Sequence, residues 1–458
     1  MPRGAPSRVR LDYTGCLRER VGEAGLEQGE ISAACARAAT AARSLRAALD
    51  AGRYGFDALL DDDEAAAASV REGRRLARLA DTLALDGIGG SALGALALQT
   101  ALRPPRQRLV VFDNIDPEGA AARLEALNAR RTAVAVITKS GSTAETMANL
   151  LVLLQWMRRR LGPRHVQRWT AITDPEKGDL LTLARRLGIP TLPVPPNVGG
   201  RFSVLSAVGL LPAAFLGLDV AAVRQGARDM RAHCWTAPPA ANVGIVGAVL
   251  LHLLATQRGR RIQVVMPYAD ALVHLADWYR QLWAESLGKR LDRKGRVVET
   301  GQTPVTSMGA TDQHSQVQLY VEGPHDKVVT FLAVESFRKD VKIAKLHQDL
   351  PSLAYLGGKT LGQLLAAERR GTEAALTGAG RPNFAYELPR ISAHVMGQLI
   401  YLFEFQTALS GELYDVDAFD QPGVEAGKVA TYALMGREGY GQQAARLRQD
   451  LARPRAIV

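Results

Sequence analysis

Residues 138–146 read Thr-Lys-Ser-Gly-Ser-Thr-Ala-Glu-Thr, and five of these nine carry hydroxyls. The apolar run 133–137 precedes them, and a helical pattern resumes at Met147. A strand that enters such a loop and then a helix presents unpaired N–H groups and a partial positive charge to whatever sits there. Phosphate suits that place, because hydroxyls and Lys add donors with little bulk. An ordinary N-cap uses one hydroxyl, not five. The loop 138–146 is therefore a candidate phosphate cradle.

Five further segments carry groups that could act on a bound anion. Asp86-Gly-Ile-Gly-Gly-Ser-Ala-Leu-Gly94 follows an apolar run and opens a helix. Gly87, Gly89 and Ala92 fit the dinucleotide fingerprint, and Asp113 lies about 20 residues on, as a ribose-binding acid would. A nicotinamide dehydrogenase is thus a rival reading, although a sugar phosphate can exploit the same close backbone approach. Asn197-Val-Gly-Gly-Arg-Phe-Ser203 turns sharply at its glycines and presents Arg201, a permanent cation suited to a developing oxyanion. Leu272, Leu275, Ala276, Tyr279, Leu282 and Trp283 form one apolar helical stripe, with Asp277, Gln281 and Glu285 on another face. Glu285 between Trp283 and Leu287 is a candidate base. His314 sits in Thr311-Asp-Gln-His-Ser-Gln316, and Lys428 ends Asp417-Ala-Phe-Asp-Gln-Pro-Gly-Val-Glu-Ala-Gly-Lys428. Taken singly, each has an ordinary alternative: a surface ion pair for Arg201, an exposed ring for His314, a pairing with Glu425 for Lys428.

The elements that must position these groups alternate along the chain. Residues 22–81 read as Ala-rich amphipathic helices. Strands are expected at 83–85, 109–112, 133–137, 169–172 and 191–194, with helices at 119–130, 145–161 and 179–187 between them. A second series places a helix at 243–257 and strands at 262–267, 317–321 and 327–334. Residues 369–383 read as a long loop, and 429–452 as surface helices. Such alternation predicts parallel sheets covered by helices on both faces. The 458 residues are 47 % hydrophobic and 22 % charged, ordinary for a globular protein. The net charge of +11 is spread over helices, as at 158–160, 185–186 and 369–370, without interleaved aromatics, which argues against nucleic acid. Cys16, Cys35 and Cys234 are widely spaced, so a reducing compartment is expected. No run reaches the length of a membrane span, and the first residues lack an apolar leader, so a cytoplasmic protein is expected.

Together and in this order, Val-Gly-Gly-Arg-Phe-Ser, Glu-Ser-Leu-Gly-Lys, Asp-Gln-His-Ser and Asp-Gln-Pro-Gly-Val-Glu-Ala-Gly-Lys resemble the glucose-6-phosphate isomerase (phosphoglucose isomerase) family, in its shorter bacterial type. The resemblance runs from about residue 87 to residue 428. It implies two sugar-isomerase (SIS) domains, each a mainly parallel sheet flanked by helices on both faces, with a helical N-terminal segment and a C-terminal helical arm. The corresponding boundaries are 1–60, 61–240, 241–425 and 426–458. The implied activity is aldose–ketose isomerisation of glucose 6-phosphate and fructose 6-phosphate through a cis-enediolate, in glycolysis and gluconeogenesis, with no metal and no cofactor. By motif position, Glu285 would move a proton between C2 and C1, and Arg201 would stabilise the enediolate. His314 would open the sugar ring with help from Lys428. Thr138, Lys139, Ser140, Ser142 and Thr143 would hold the phosphate. Gly90, Ser91, Gly200, Gln281 and Gln421 would border the sugar. The family also implies a homodimer in which His314 crosses to the partner's site. An isomerase that also accepts mannose 6-phosphate and a non-catalytic sugar-phosphate sensor are the alternatives; a sensor is expected to lack Glu285 or His314.

Overall fold

The computed structural model describes residues 8–102, 106–453 and 456. Residues 1–7, the start of the expected N-terminal helical segment, lie outside the described residues, as does part of the chain's last stretch. Two compact units are present, Met1–Ala418 and Phe419–Val458.

The larger unit begins with an edge strand β1 (Arg10–Asp12), a single turn α1 (Arg18–Val21) and the long helices α2 (Gln28–Asp50) and α3 (Asp63–Leu79). Strand and helix then alternate through β2 (Thr82–Asp86), α4 (Leu93–Leu102), β3 (Arg108–Phe112), α5 (Pro117–Glu125), β4 (Thr132–Ile137), α6 (Ala144–Leu161), β5 (Trp169–Thr173), α7 (Asp179–Leu187) and β6 (Thr191–Pro193). The sheet order is β3-β2-β4-β5-β6, parallel throughout. Every residue of β2 and β4 is buried, as expected of central parallel strands covered on both faces. Alternation along β2 and β4 divides the core. Leu83, Leu85, Ala133, Ala135 and Ile137 pack with Leu76, Leu211 and Phe215. Ala84, Val134 and Val136 pack with Leu150, Leu153 and Trp156 on the opposite face.

Three helices follow, α8 (Ala207–Phe215), α9 (Val220–Thr236) and α10 (Val243–Arg258). The second series comprises β7 (Ile262–Pro267), α11 (Val273–Leu287), β8 (Lys289–Leu291), β9 (Val297–Thr300), β10 (Thr303–Thr306), α12 (Val317–Glu322), β11 (Lys327–Ser336), α13 (Pro351–Ala354), α14 (Leu361–Gly378), β12 (Asn383–Arg390) and α15 (Ala393–Tyr414). Its five-stranded sheet runs β1-β12-β11-β7-β10, with only β1 antiparallel. Strands β8 and β9 form a separate two-stranded ribbon. In the smaller unit, α16 (Glu425–Leu434) and α17 (Gly441–Leu451) pack on each other.

Two sequence expectations are corrected. Residues 317–321 form helix α12, not a strand. Val317, Tyr320 and Val321 are the residues that reach the core, a helical spacing that the β-rich composition hides. Most of the expected loop at 369–383 is the end of α14. That helix starts at a capping box, in which Thr360 accepts from Gln363 N–H and the Gln363 side chain takes Thr360 N–H. Its buried face is sparse, only Thr372 and Leu376, so little apolar period was visible. Strands β1, β8, β9, β10 and β12 were not expected.

Helix α15 is buried around its whole circumference from Val395 to Gly411, the mark of a central helix. It crosses α9 with backbone against backbone. A Cβ on Gly397 would overlap the Val223 carbonyl oxygen, and one on Gly226 the His394 carbonyl oxygen. Gly397→Ala is therefore expected to lower unfolding free energy by about 1–3 kcal/mol, measurable as an earlier urea midpoint. An unchanged midpoint would refute this account of the crossing.

Candidate active site

Adjacent strands of the first sheet deliver two loops to one edge. Asp86 at the end of β2 stands opposite Val136 of β4. The chain leaves β2 into Gly87–Ser91 and leaves β4 into Thr138–Thr143. Strand order reverses between β2 and β4, so this is the crevice where open α/β sheets bind ligands.

The hydroxyl loop is organised around itself. Thr138 Oγ1 lies 2.9 Å from Thr143 Oγ1 and 3.3 Å from Ser140 Oγ, and Ser140 Oγ is 3.3 Å from Thr143 Oγ1. Ser142 N–H donates to Ser140 Oγ over 3.3 Å. Thr143 occupies the N-cap of α6, yet its hydroxyl does not cap the helix. The loop turns at Gly141, where φ is +66° and the backbone closes on Gly178. Lys139 behaves differently from its neighbours. Its ammonium donates to the carbonyls of Pro196 (2.6 Å) and Val198 (2.9 Å), tying the hydroxyl loop to the segment that carries Arg201. Burial pulls its pKa below the usual lysine range.

Gly90 and Gly200 are contact points rather than mere turn formers. A Cβ on Gly90 would run into the Gly200 carbonyl, so the two backbones touch. At Gly89, φ is +57° and a Cβ would lie 2.7 Å from Gln281 Nε2. The half-buried Ser91 ends the same short turn. Close approach thus gathers the β2 loop, the Arg201 loop and α11.

Helix α11 has its apolar stripe inside: Leu275, Ala276, Tyr279, Leu282 and Trp283 are all buried. Gln281 and Glu285 of its polar row point into the gathering, whereas Asp277 bonds His274 (3.1 Å) and Thr306 (3.4 Å). Gln281 Nε2 donates to Glu285 Oε1 at 3.0 Å, one turn along the helix. Arg201 Nη1 lies 3.3 Å from Glu285 Oε2. Arg201 is only 2 % exposed, whereas Glu285 is 34 % exposed, so the base candidate opens to solvent while its cation does not. The guanidinium also donates from Nε to Ser286 Oγ (2.8 Å) and from Nη2 to the Ala418 carbonyl (2.7 Å). Ser286 and the Ala418 carbonyl were not anticipated; the only signal for Ser286 is its place after Glu285. Lys289 Nζ donates to the Glu285 carbonyl at 2.9 Å and holds the end of α11.

His314 stands apart. It ends a short turn (Thr311–His314) after β10 and is exposed. Among the described residues no hydrogen bond or ion pair joins it to Glu285 or Arg201. Gln421 and Lys428 belong to the smaller unit, where Lys428 Nζ donates to Glu425 Oε1 at 2.8 Å. A cavity of about 700 Å³ lies elsewhere, beside Asp270, Ser336, Arg338 and Leu361, and none of the candidate residues lines it.

The arrangement can hold an anion at one end and a carboxylate–guanidinium pair at the other. Gly90→Ala is expected to push Arg201 off Glu285, seen as a separation beyond the present 3.3 Å in the variant's structure and as a loss of about 1–3 kcal/mol in stability. Retention of both would refute the close-approach role.

A family model for phosphoglucose isomerase matches residues 65–445. A glucose-6-phosphate isomerase of Carboxydothermus hydrogenoformans is 43 % identical, covering 98 % of this chain and 99 % of that protein. One from Rubrobacter xylanophilus is 50 % identical over 77 % of this chain and 82 % of its own. Among solved structures, a hypothetical protein from Thermus thermophilus superimposes with a TM-score of 0.85 at 39 % identity, covering 94 % of this chain and 100 % of that chain. A glucose-6-phosphate isomerase from Chlamydia trachomatis gives 0.74 at 25 % identity, covering 85 % and 77 % respectively. The chain belongs to the phosphoglucose isomerase family.

Proposed function

We propose that this protein interconverts glucose 6-phosphate and fructose 6-phosphate, the aldose–ketose step shared by glycolysis and gluconeogenesis. The observation that carries the reading is the Gln281–Glu285–Arg201 constellation, placed beside a hydroxyl-lined helix N-terminus. Isomerisation needs a carboxylate to shuttle a proton between neighbouring carbons. It also needs a fixed cation where the enediolate oxygens gain charge. Glu285 serves as that base and Arg201 as that cation. Thr138, Ser140, Ser142 and Thr143, with the first N–H groups of α6, hold the phosphate. Lys139 contributes by fixing the loop and by its positive charge. Gly90, Ser91, Gly200, Gln281 and Gln421 border the sugar.

His314 and Lys428 open the ring in this reading, and His314 does so in the site of a second copy. The exposure of His314 supports a role outside its own chain's site. The protein acts as a homodimer in the cytoplasm, with the chain divided at residues 60, 240 and 425. Three buried, unpaired cysteines support a reducing compartment. Among the described residues no helix is long and apolar enough to cross a membrane.

The test is turnover of fructose 6-phosphate by the purified protein, with mannose 6-phosphate in parallel. Glu285→Gln is expected to bind fructose 6-phosphate normally while losing about a thousandfold in kcat. Turnover close to that of the parent protein would remove Glu285 as the base. His314→Ala is expected to slow cyclic substrate more than an open-chain analogue; equal losses would argue against ring opening.

A further inference from the structure

Behind the hydroxyl loop lies a polar group that none of these roles uses. Asp86 ends β2, in register with Phe112 of β3 and Val136 of β4. Two residues earlier, Ala84 belongs to the core that α6 covers. Side chains two apart share a face, so Asp86 points to the α6 side of the sheet. It is completely buried, and neither carboxyl oxygen accepts a well-formed hydrogen bond, although the Asn149 amide comes near enough to favour the charged form. On α6, Thr146 in the first turn and Asn149 one turn later are buried too. Thr146 Oγ1 also lacks a partner. Asn149 donates to the carbonyls of Phe112 (3.4 Å) and Asn114 (3.3 Å).

We propose that Asp86 is a positioning residue for the substrate's phosphate: as a neutral acid it leaves the N-terminus of α6 to the dianion, and as a carboxylate it competes with the dianion for it. The proposal rests on the reading that residues 138–143 hold phosphate. Thr138 lies two residues beyond Val136, about 7 Å further along the sheet. A negative charge at Asp86 would sit behind the same helix terminus that attracts the substrate, in an interior that screens poorly. By linkage, bound phosphate must in turn oppose ionisation of Asp86.

The surroundings offer Asp86 little compensation. Burial pushes its carboxyl up to about 8, and the Asn149 amide offsets only part of that. Strand β4 carries no titratable side chain, and the first one beyond it, Lys139, is engaged by two carbonyls. Past β3, Asp113 lies 4.0 Å from Arg123 of α5. On α6 the nearest titratable residue in sequence to Thr146 is Glu145, in the same first turn. The sign follows: the folded protein keeps Asp86 protonated where an unfolded chain ionises it. Stability from this group is complete below about pH 4 and declines up to about pH 8. Phosphate affinity is expected to decline as pH rises through about 8.

The experiment measures KM and kcat for fructose 6-phosphate, and inhibition by inorganic phosphate, from about pH 6.5 to about pH 9.5 in the parent protein and in Asp86→Asn. Asn mimics the acid form in shape and charge. At about pH 7 the two proteins should agree in KM and kcat within about twofold. At about pH 9.5 the parent's KM should exceed the variant's by about tenfold, with kcat alike. Parallel KM profiles, or a kcat loss in the variant at neutral pH, would overturn the proposal. Should the variant not fold, the parent labelled with carboxyl-13C aspartate still decides. One resonance should titrate near 8, and later when inorganic phosphate is bound. Titration of every aspartate below about pH 5 would overturn it. If the parent shows neither turnover nor phosphate inhibition, the function proposed above fails, while the labelled titration still reports on Asp86.

Discussion

A permanent cation enclosed by protein governs this site. Arg201 cannot shed its proton, and a buried charge is tolerated only when acceptors surround it. Ser286, Glu285 and the Ala418 carbonyl supply them. These acceptors come from segments far apart in sequence, so the end of α11, the residues before Phe419 and the Gly199–Ser203 turn must converge together. The close approach of the Gly90 backbone to Gly200 follows from the same demand, because a side chain at Gly90 would hold the Arg201 turn away.

The two sheets divide the work. The first contributes the hydroxyl-rich loop at the carboxyl ends of β2 and β4, the anion cradle of the proposed function. The second contributes the helix that follows β7, with Gln281 and Glu285 on its inner face. Neither sheet holds both an anion cradle and the proposed base. A cradle alone would bind sugar phosphates without changing them, and a carboxylate–guanidinium pair alone would have nothing to hold its substrate in register.

Much of this was legible in the amino-acid order. The apolar runs at 133–137 and 262–267 are strands because buried parallel strands cannot carry polar alternation. The stripe on α11 fixed which face of that helix turns inward. What escaped notice shares one cause: burial that local sequence does not encode. Arg201 reads as a loop arginine, and only its enclosure makes it special. Ser286 matters through a partner 85 positions earlier. Asp86 was visible only as the residue before a glycine motif, since a carboxylate at a strand end is ordinarily exposed. Helix α12 was missed because Val and Tyr favour strands, while the packing of Val317, Tyr320 and Val321 on the core decided otherwise.

Lys139 joins the hydroxyl loop to the carbonyls of Pro196 and Val198, and Arg201 follows a few residues later. The span between the hydroxyl loop and the guanidinium is therefore set by one short, half-buried strut rather than by the flexibility of two loops. The site works as a caliper. In the proposed reading, a sugar phosphate whose reacting carbons lie one bond nearer to or further from the phosphate would reach the hydroxyl loop but present the wrong atoms to Glu285.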